Sequence, residues 1–260
     1  MSKAIMVTSF KGGVGKTVFS SALAYAAATS GQRAVGVDMD FESGGLDIAL
    51  GAENSLGASV LDVLRGSADC ERAQICCGGI PELNIISSPM TLFEDLGDIT
   101  PQMMDDLILR LKLMSDLVIF DMPAGGGEFF TPLASSKHMD GIIVVTTDSP
   151  TAVRSAEKCG IGLEGIAKCP VRLVINAYGI TPSKNTRGLL DLIGDTAIRA
   201  IGVIPFDKNV PRCIAQGRPV TSLRRSPAAV AVRNVLARLD GENVPLLHGI
   251  TGKRMRNKLY

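Results

Sequence analysis

Ser9-Phe10-Lys11-Gly12-Gly13-Val14-Gly15-Lys16-Thr17 is the stretch on which the reading of this chain turns. An apolar run at residues 4–7 precedes it and predicts a buried strand; residues 18–28 follow and predict a helix. Strand, glycine-rich loop, Lys-Thr and helix make the phosphate-binding P-loop arrangement. The glycines let successive backbone N–H groups turn toward phosphate oxygens, and the helix behind adds its positive N-terminal end. Gly12, Gly13, Val14, Gly15, Lys16, Thr17 and Val18 are therefore the candidate phosphate contacts. Lys16 suits β/γ-phosphate charge, and the Thr17 hydroxyl suits Mg²⁺.

Further out, short runs rich in Val and Ile predict strands at residues 4–7, 34–37, 83–86, 117–120, 141–145, 171–175 and 201–204. Helices are expected at 101–114, 150–167, 184–193 and 227–239, with Pro101 following Thr100 as cap and Pro150 following Asp148-Ser149. Gly160, Gly162 and Gly165 weaken the second half of the 150–167 helix. Alternating strands and helices imply an α/β fold, a three-layer doubly wound sheet, mostly parallel, of about seven to eight strands. No linker interrupts the alternation, so residues 1–248 are expected to form one domain, followed by a basic tail at 249–260.

Composition narrows the function. With 46% hydrophobic residues and no Trp, the core is aliphatic, as under a parallel sheet. A net charge of +1 argues against bulk electrostatic attraction to nucleic acid, so DNA is the weaker partner expectation. No apolar run reaches membrane-spanning length, and the N-terminus enters a strand at once, which points to a cytoplasmic protein. Cys70, Cys76, Cys77, Cys159, Cys169 and Cys213 lack metal or redox spacing and are expected as free thiols.

Several strands end in polar residues, where ligands of such sheets bind. Asp38 and Asp40 share one side by alternation, and two carboxylates beside a triphosphate call for Mg²⁺ or a water between them. Asp121 ends the apolar run 117–120, and Met122-Pro123-Ala124-Gly125-Gly126-Gly127 follows it. Asn176 ends the run 171–175, and the run 201–204 leads into Pro205-Phe206-Asp207.

Phe10 stands where the common P-loop pattern has Gly, and Lys11 directly precedes Gly-Gly-Val-Gly-Lys-Thr. In this the chain resembles the MinD/ParA family of ATPases, over roughly residues 3–247. The resemblance implies a P-loop NTPase fold of the SIMIBI type, ATP and Mg²⁺ as cofactors, and an ATP-dependent homodimer. It assigns Lys11 to the other subunit's nucleotide, Lys16 to its own, and Asp40 to the attacking water in switch I. It places Thr17, Asp38 and Asp121 around the metal and makes 122–127 switch II. Asn176 would read the adenine edge, with Pro205 and Asp207 in the segment that cups the base.

Gly45-Leu46-Asp47-Ile48-Ala49-Leu50-Gly51 and Leu61-Asp62-Val63-Leu64-Arg65-Gly66 resemble the MinD branch; ParA proteins usually carry Pro-Gln-Gly after the second aspartate. The implied function is a septum-site or positioning ATPase, slow alone and stimulated by an activator protein. ParA-like partition, flagellar or pilus positioning, a hydrolysis-weak nucleotide-sensing scaffold and an amide-forming ligase are the alternatives. Arg218, Arg224 and Arg225 are the candidate DNA contacts.

The chain departs from the family at Phe41-Glu42-Ser43-Gly44-Gly45, at Ala177 where relatives often carry Arg, and at Val18. Val18 replaces a hydroxyl, which removes an α-phosphate hydrogen bond of about 0.5–1.5 kcal/mol net. The tail carries Lys253, Arg254, Arg256 and Lys258 without a clean apolar stripe. Two readings of it stand: a weak contact with the anionic inner face of the cell membrane when ATP is bound, and a disordered basic tail.

Overall fold

The computed structural model describes residues 2–53, 55, 57–90, 96–179 and 188–246. In chain order the elements are β1 (Lys3–Ser9), α1 (Lys16–Thr29), β2 (Ala34–Asp38), α2 (Leu46–Ala49), α3 (Val60–Leu64) and α4 (Cys70–Ala73). Next come β3 (Ile75–Cys76), β4 (Leu83–Ile86), α5 (Pro101–Met114), β5 (Leu117–Ala124), α6 (Phe130–Ser135) and β6 (Gly141–Thr146). α7 (Pro150–Glu164), β7 (Val171–Tyr178), α8 (Leu189–Thr196), β8 (Ala200–Pro205), α9 (Asn209–Ile214) and α10 (Pro227–Leu239) complete the fold.

The strands form one eight-stranded sheet in the order β3-β4-β2-β5-β1-β6-β7-β8. Every pairing is parallel except the edge pair β3–β4. Alternate residues of a strand serve opposite layers. In β1, Ala4 and Met6 pack with Met104, Leu107, Ile108 and Leu111 of α5, while Ile5 and Val7 pack with Phe19, Ala22 and Leu23 of α1. Both faces are thus covered by helices, and the central strands are apolar up to the polar residues near their carboxyl ends.

Three helices start by the same local chemistry. Thr100, Ser149 and Ser226 each accept a hydrogen bond from the backbone N–H three residues on, and a proline follows each at the first helical position. The glycines of α7 do not break it, but it stops at Glu164, short of the expected 167. The antiparallel β3 was not expected; two residues are too few to show a period. The expected 184–193 helix is found as α8, with residues 184–187 outside the described residues. The 249–260 tail and the domain boundary at 248 also lie outside them.

The strand order positions the site. From β1 the chain leads away toward β2 and β4; from β6 it leads the opposite way, toward β7 and β8. The connections therefore diverge at the carboxyl ends of the adjacent β1 and β6, where such sheets open a crevice for ligands.

Candidate functional site

The loop between β1 and α1 lies at that crevice. Gly13 and Gly15 have φ of 75° and 88°, in the left-handed region. A Cβ on Gly15 would stand 2.3 Å from Asn176 Nδ2, so a larger residue would strain the backbone and displace Asn176. Ser9 Oγ accepts from the Lys11 N–H at 3.1 Å and donates to the Lys11 carbonyl at 3.0 Å, which pins the loop's entry. α1 then starts at Lys16 with Gly15 as its cap, no side chain bonding its first N–H groups and no acid in its first turn. Those donors suit an anion.

Lys16 is only 8% exposed. Burial pushes its ammonium below the ordinary lysine range, and the charges of Asp121 and Asp40 oppose that shift. Asp121 is fully buried, with hydrogen bonds from Thr17 and, at 2.7 Å, from Ser20 Oγ. Burial lifts Asp121 to about 6 despite those bonds and the Lys16 charge. Ser20 was missed in the sequence; it lies three places beyond Thr17 on the same helix face, and that spacing was the available signal.

Asp38 and Asp121 sit side by side in register on β2 and β5. Asp38 Oδ1 accepts from the Asp40 N–H at 3.0 Å; Oδ2 accepts from the N–H groups of Gly45 and Leu46 at 3.0 and 3.1 Å. Its carboxylate therefore shapes the 40–46 loop as well as facing the site. Burial first, and then the charge of Asp121, push Asp38 up to about 7. Asp40 is half-buried in the turn after β2, where its Oδ1 accepts from the Ser43 N–H at 3.0 Å.

This donor set fits a small hard cation. Two buried carboxylates held above their ordinary range, with a threonine hydroxyl beside them, are what Mg²⁺ joins to phosphates. Among the described residues no group of three or more His, Cys, Asp or Glu could hold a metal by itself.

Beside the loop a cavity of about 340 Å³ runs under the ends of β7 and β8. Gly13, Val14, Gly15, Val18, Asn176, Pro205 and Asp207 all border it. Asn176 Nδ2 donates to the Val14 carbonyl at 2.8 Å, so this side chain buttresses the loop while facing the cavity. Asp207 accepts from the Asn209 N–H and Nδ2 at 2.9 and 2.8 Å and from Ser226 Oγ at 2.5 Å. Burial alone would raise its carboxyl, but these bonds outweigh it and leave the group below its ordinary range. The Asp207 side chain thus braces β8, α9 and α10. Ala177 takes φ 50°, where glycine is usual, at the irregular end of the β7–β8 pairing. Lys11 is exposed on the outer rim of the loop, and Gly12 lies against Ala124 of β5.

A glycine-rich loop of this build, opening a helix at the switch point of a parallel sheet, belongs to the nucleotide-binding α/β class. The chain belongs to the CobQ/CobB/MinD/ParA nucleotide-binding domain family, which it matches over residues 5–220. It is 33% identical over 252 residues to the septum site-determining protein MinD of Bacillus subtilis, covering 95% of this chain and 92% of that one. The solved MinD cell division protein of Aquifex aeolicus superposes with a TM-score of 0.82 at 25% identity, covering 94% of this chain and 99% of that one. MinD of Pyrococcus horikoshii, solved with Mg-ADP, superposes with a TM-score of 0.79 at 23% identity, covering 92% and 96%.

Proposed function

We propose that this protein is an ATP-dependent dimerising ATPase of the MinD type that acts in septum-site selection. The observation that carries the reading is the division of labour between two lysines of one loop: Lys16 is buried beside Asp121, whereas Lys11 stands exposed on the rim. One cation serves the chain's own nucleotide. The exposure of the other supports a role in which it reaches the nucleotide of a second copy. The septum-site relative, alike over 95% of the chain, supports the biological role.

The loop N–H groups and Lys16 bind the phosphates of ATP, and the cavity walls at Val18, Asn176, Pro205 and Asp207 hold the nucleoside. Thr17, Asp38 and Asp121 would hold Mg²⁺, which would supply positive charge to the phosphate oxygens. Asp40, with one oxygen fixed by Ser43, orients the attacking water and takes its proton at the other. Phe10, next to Lys11 in the loop, is 36% exposed and offers an apolar side chain for a second copy to cover. Hydrolysis separates the copies, so the energy of ATP becomes a population shift rather than a product. Turnover alone is slow, and an activator protein accelerates it.

Among the described residues no helix is long and apolar enough to cross a membrane. Contact with a membrane falls to the 249–260 tail, whose four cations attract anionic lipid at about 1 kcal/mol each. Flotation with anionic liposomes in ATP is expected to drop when residues 249–260 are removed; equal flotation of both forms would refute tail-mediated contact. For the septum role, removing the protein from its host is expected to move division sites away from their usual positions. Unaltered septum placement would overturn that role.

A further inference from the structure

Phe10 is the loop residue that phosphate binding does not explain, and Phe41 follows directly on Asp40. Both rings find their partner on one dipeptide. The Phe10 ring lies 5.3 Å from that of Phe130, with the planes at 55°. The Phe41 ring lies 5.2 Å from that of Phe129, at 56°. Both separations are those of favourable tilted aromatic pairs. Phe129 and Phe130 are buried, 6% and 8% exposed, and they open α6.

They follow the glycine run after Asp121, with only Glu128 between. Gly125, Gly126 and Gly127 have φ of 83°, 91° and 64°, a path that other residues rarely take. The run is wrapped tightly onto its surroundings. A Cβ on Gly126 would lie 2.7 Å from Phe130 Cδ2, and one on Gly127 would lie 2.8 Å from Pro123 Cγ. At the start of the run the Gly125 N–H donates to the Ser9 carbonyl at 3.1 Å. The chain therefore leaves Asp121, passes a glycine hinge anchored to the phosphate loop, and presents two successive rings, one to each nucleotide-facing loop.

We infer that Phe129-Phe130 is a two-sided aromatic clasp that couples the phosphate loop to the loop carrying Asp40. The rings are adjacent in sequence and set in the same core cluster as Met122 and Leu133. A shift of the hinge cannot move one without the other, and a displacement of Phe10 reaches Phe41 through the first turn of α6. Phe10 and Phe41 are positioning residues: they act on Asp40 and the phosphate loop through the clasp. The geometry stands by itself; only the purpose of the coupling rests on the nucleotide-switch reading.

Amide hydrogen exchange on the full chain tests this. The Ser43, Gly44, Gly45 and Leu46 N–H groups are all hydrogen-bonded, to Asp40 or Asp38, and report on the Asp40 loop. Phe10→Ala is expected to raise exchange at these amides, which Phe10 itself does not hold, by about two- to tenfold, the range an aromatic pair supports. Phe10→Tyr keeps the ring and should stay like wild type. Amides of β6 and α10 should be unchanged, which separates coupling from general loosening. The reciprocal variant, Phe41→Ala, should raise exchange at the Lys11 amide, which Ser9 Oγ holds and Phe41 does not touch, and lower kcat severalfold. A rise confined in both variants to the mutated loop and α6 would overturn the clasp. Nucleotide binding measured on the same samples keeps the two ideas apart: its absence in wild type would sink the switch reading, while the exchange result decides the coupling.

Discussion

Gly15 shows how little room a single residue of this site has. Its φ of 88° and the 2.3 Å approach of Asn176 Nδ2 mean that a methyl group there strains the backbone and pushes Asn176 aside. Gly15→Ala should cost about 1–3 kcal/mol in strain and the Asn176–Val14 hydrogen bond. The expected result is a lower Tm together with lost binding of a fluorescent nucleotide; unchanged binding would contradict this account of the loop. Charge is equally constrained. Asp38 titrates at about 7 in the folded chain, against roughly 4 for an exposed carboxyl. Between these values the folded state holds more protons than the unfolded state, so this group's contribution to stability falls as pH rises through the window and is flat above it. In metal- and nucleotide-free buffer, Asp38→Asn should therefore gain Tm over wild type as pH is raised from about 5 to 7.5. A constant or shrinking difference would show that Asp38 is not buried as described. Several residues of the site were readable from type and spacing, Lys16, Thr17 and Asp121 among them. Ser20 was not, because a serine inside a helix carries no signal until its partner is known. The bracing roles of Asn176 and Asp207 were equally hidden, since both partners are distant in sequence or lie on another element.

At the scale of elements, α7 separates propensity from packing. Its two interior glycines differ only in their surroundings: Gly162 faces open space, whereas a Cβ on Gly160 would lie 2.9 Å from Ile198 Cδ1 and Cγ1. Gly162→Ala should stabilise by about 0.5–1 kcal/mol through reduced chain entropy. Gly160→Ala should destabilise by about 1–3 kcal/mol through overpacking. Thermal melts of the two variants check this, and shifts of the same sign would refute it. Sequence alone treated these glycines alike and extended the helix to 167. The caps before α5, α7 and α10 were more legible, because a Ser or Thr followed by Pro is a local device. The two-residue β3 had no such device, and its pairing with β4 depends on a turn between them.

At the scale of the molecule, the class of fold was legible because apolar runs and amphipathic stretches alternate along the whole chain. The order of strands was not. Insertion of β5 between β1 and β2 rests on contacts between segments more than 70 residues apart, which no local pattern records. That insertion brings Asp121 beside Asp38 and behind Lys16, and so makes one site from three stretches. In the same loop as Lys16, Lys11 is exposed, beside the exposed Phe10. Lys11→Ala should therefore keep most nucleotide binding and lose assembly, whereas Lys16→Ala should lose binding itself. Light-scattering mass and nucleotide titration of both variants would show the contrast; an Lys11→Ala protein that still assembled with ATP would remove the reason for two lysines.

The central claim is that ATP turns one copy into two, and the mass of Asp40→Ala with and without Mg-ATP tests it most directly. Removing Asp40 leaves the phosphate loop and Lys11 in place while slowing the hydrolysis that would separate the copies. A monomer that doubles in mass only when Mg-ATP is added is the predicted result. A protein that binds ATP and keeps the mass of one chain would contradict it.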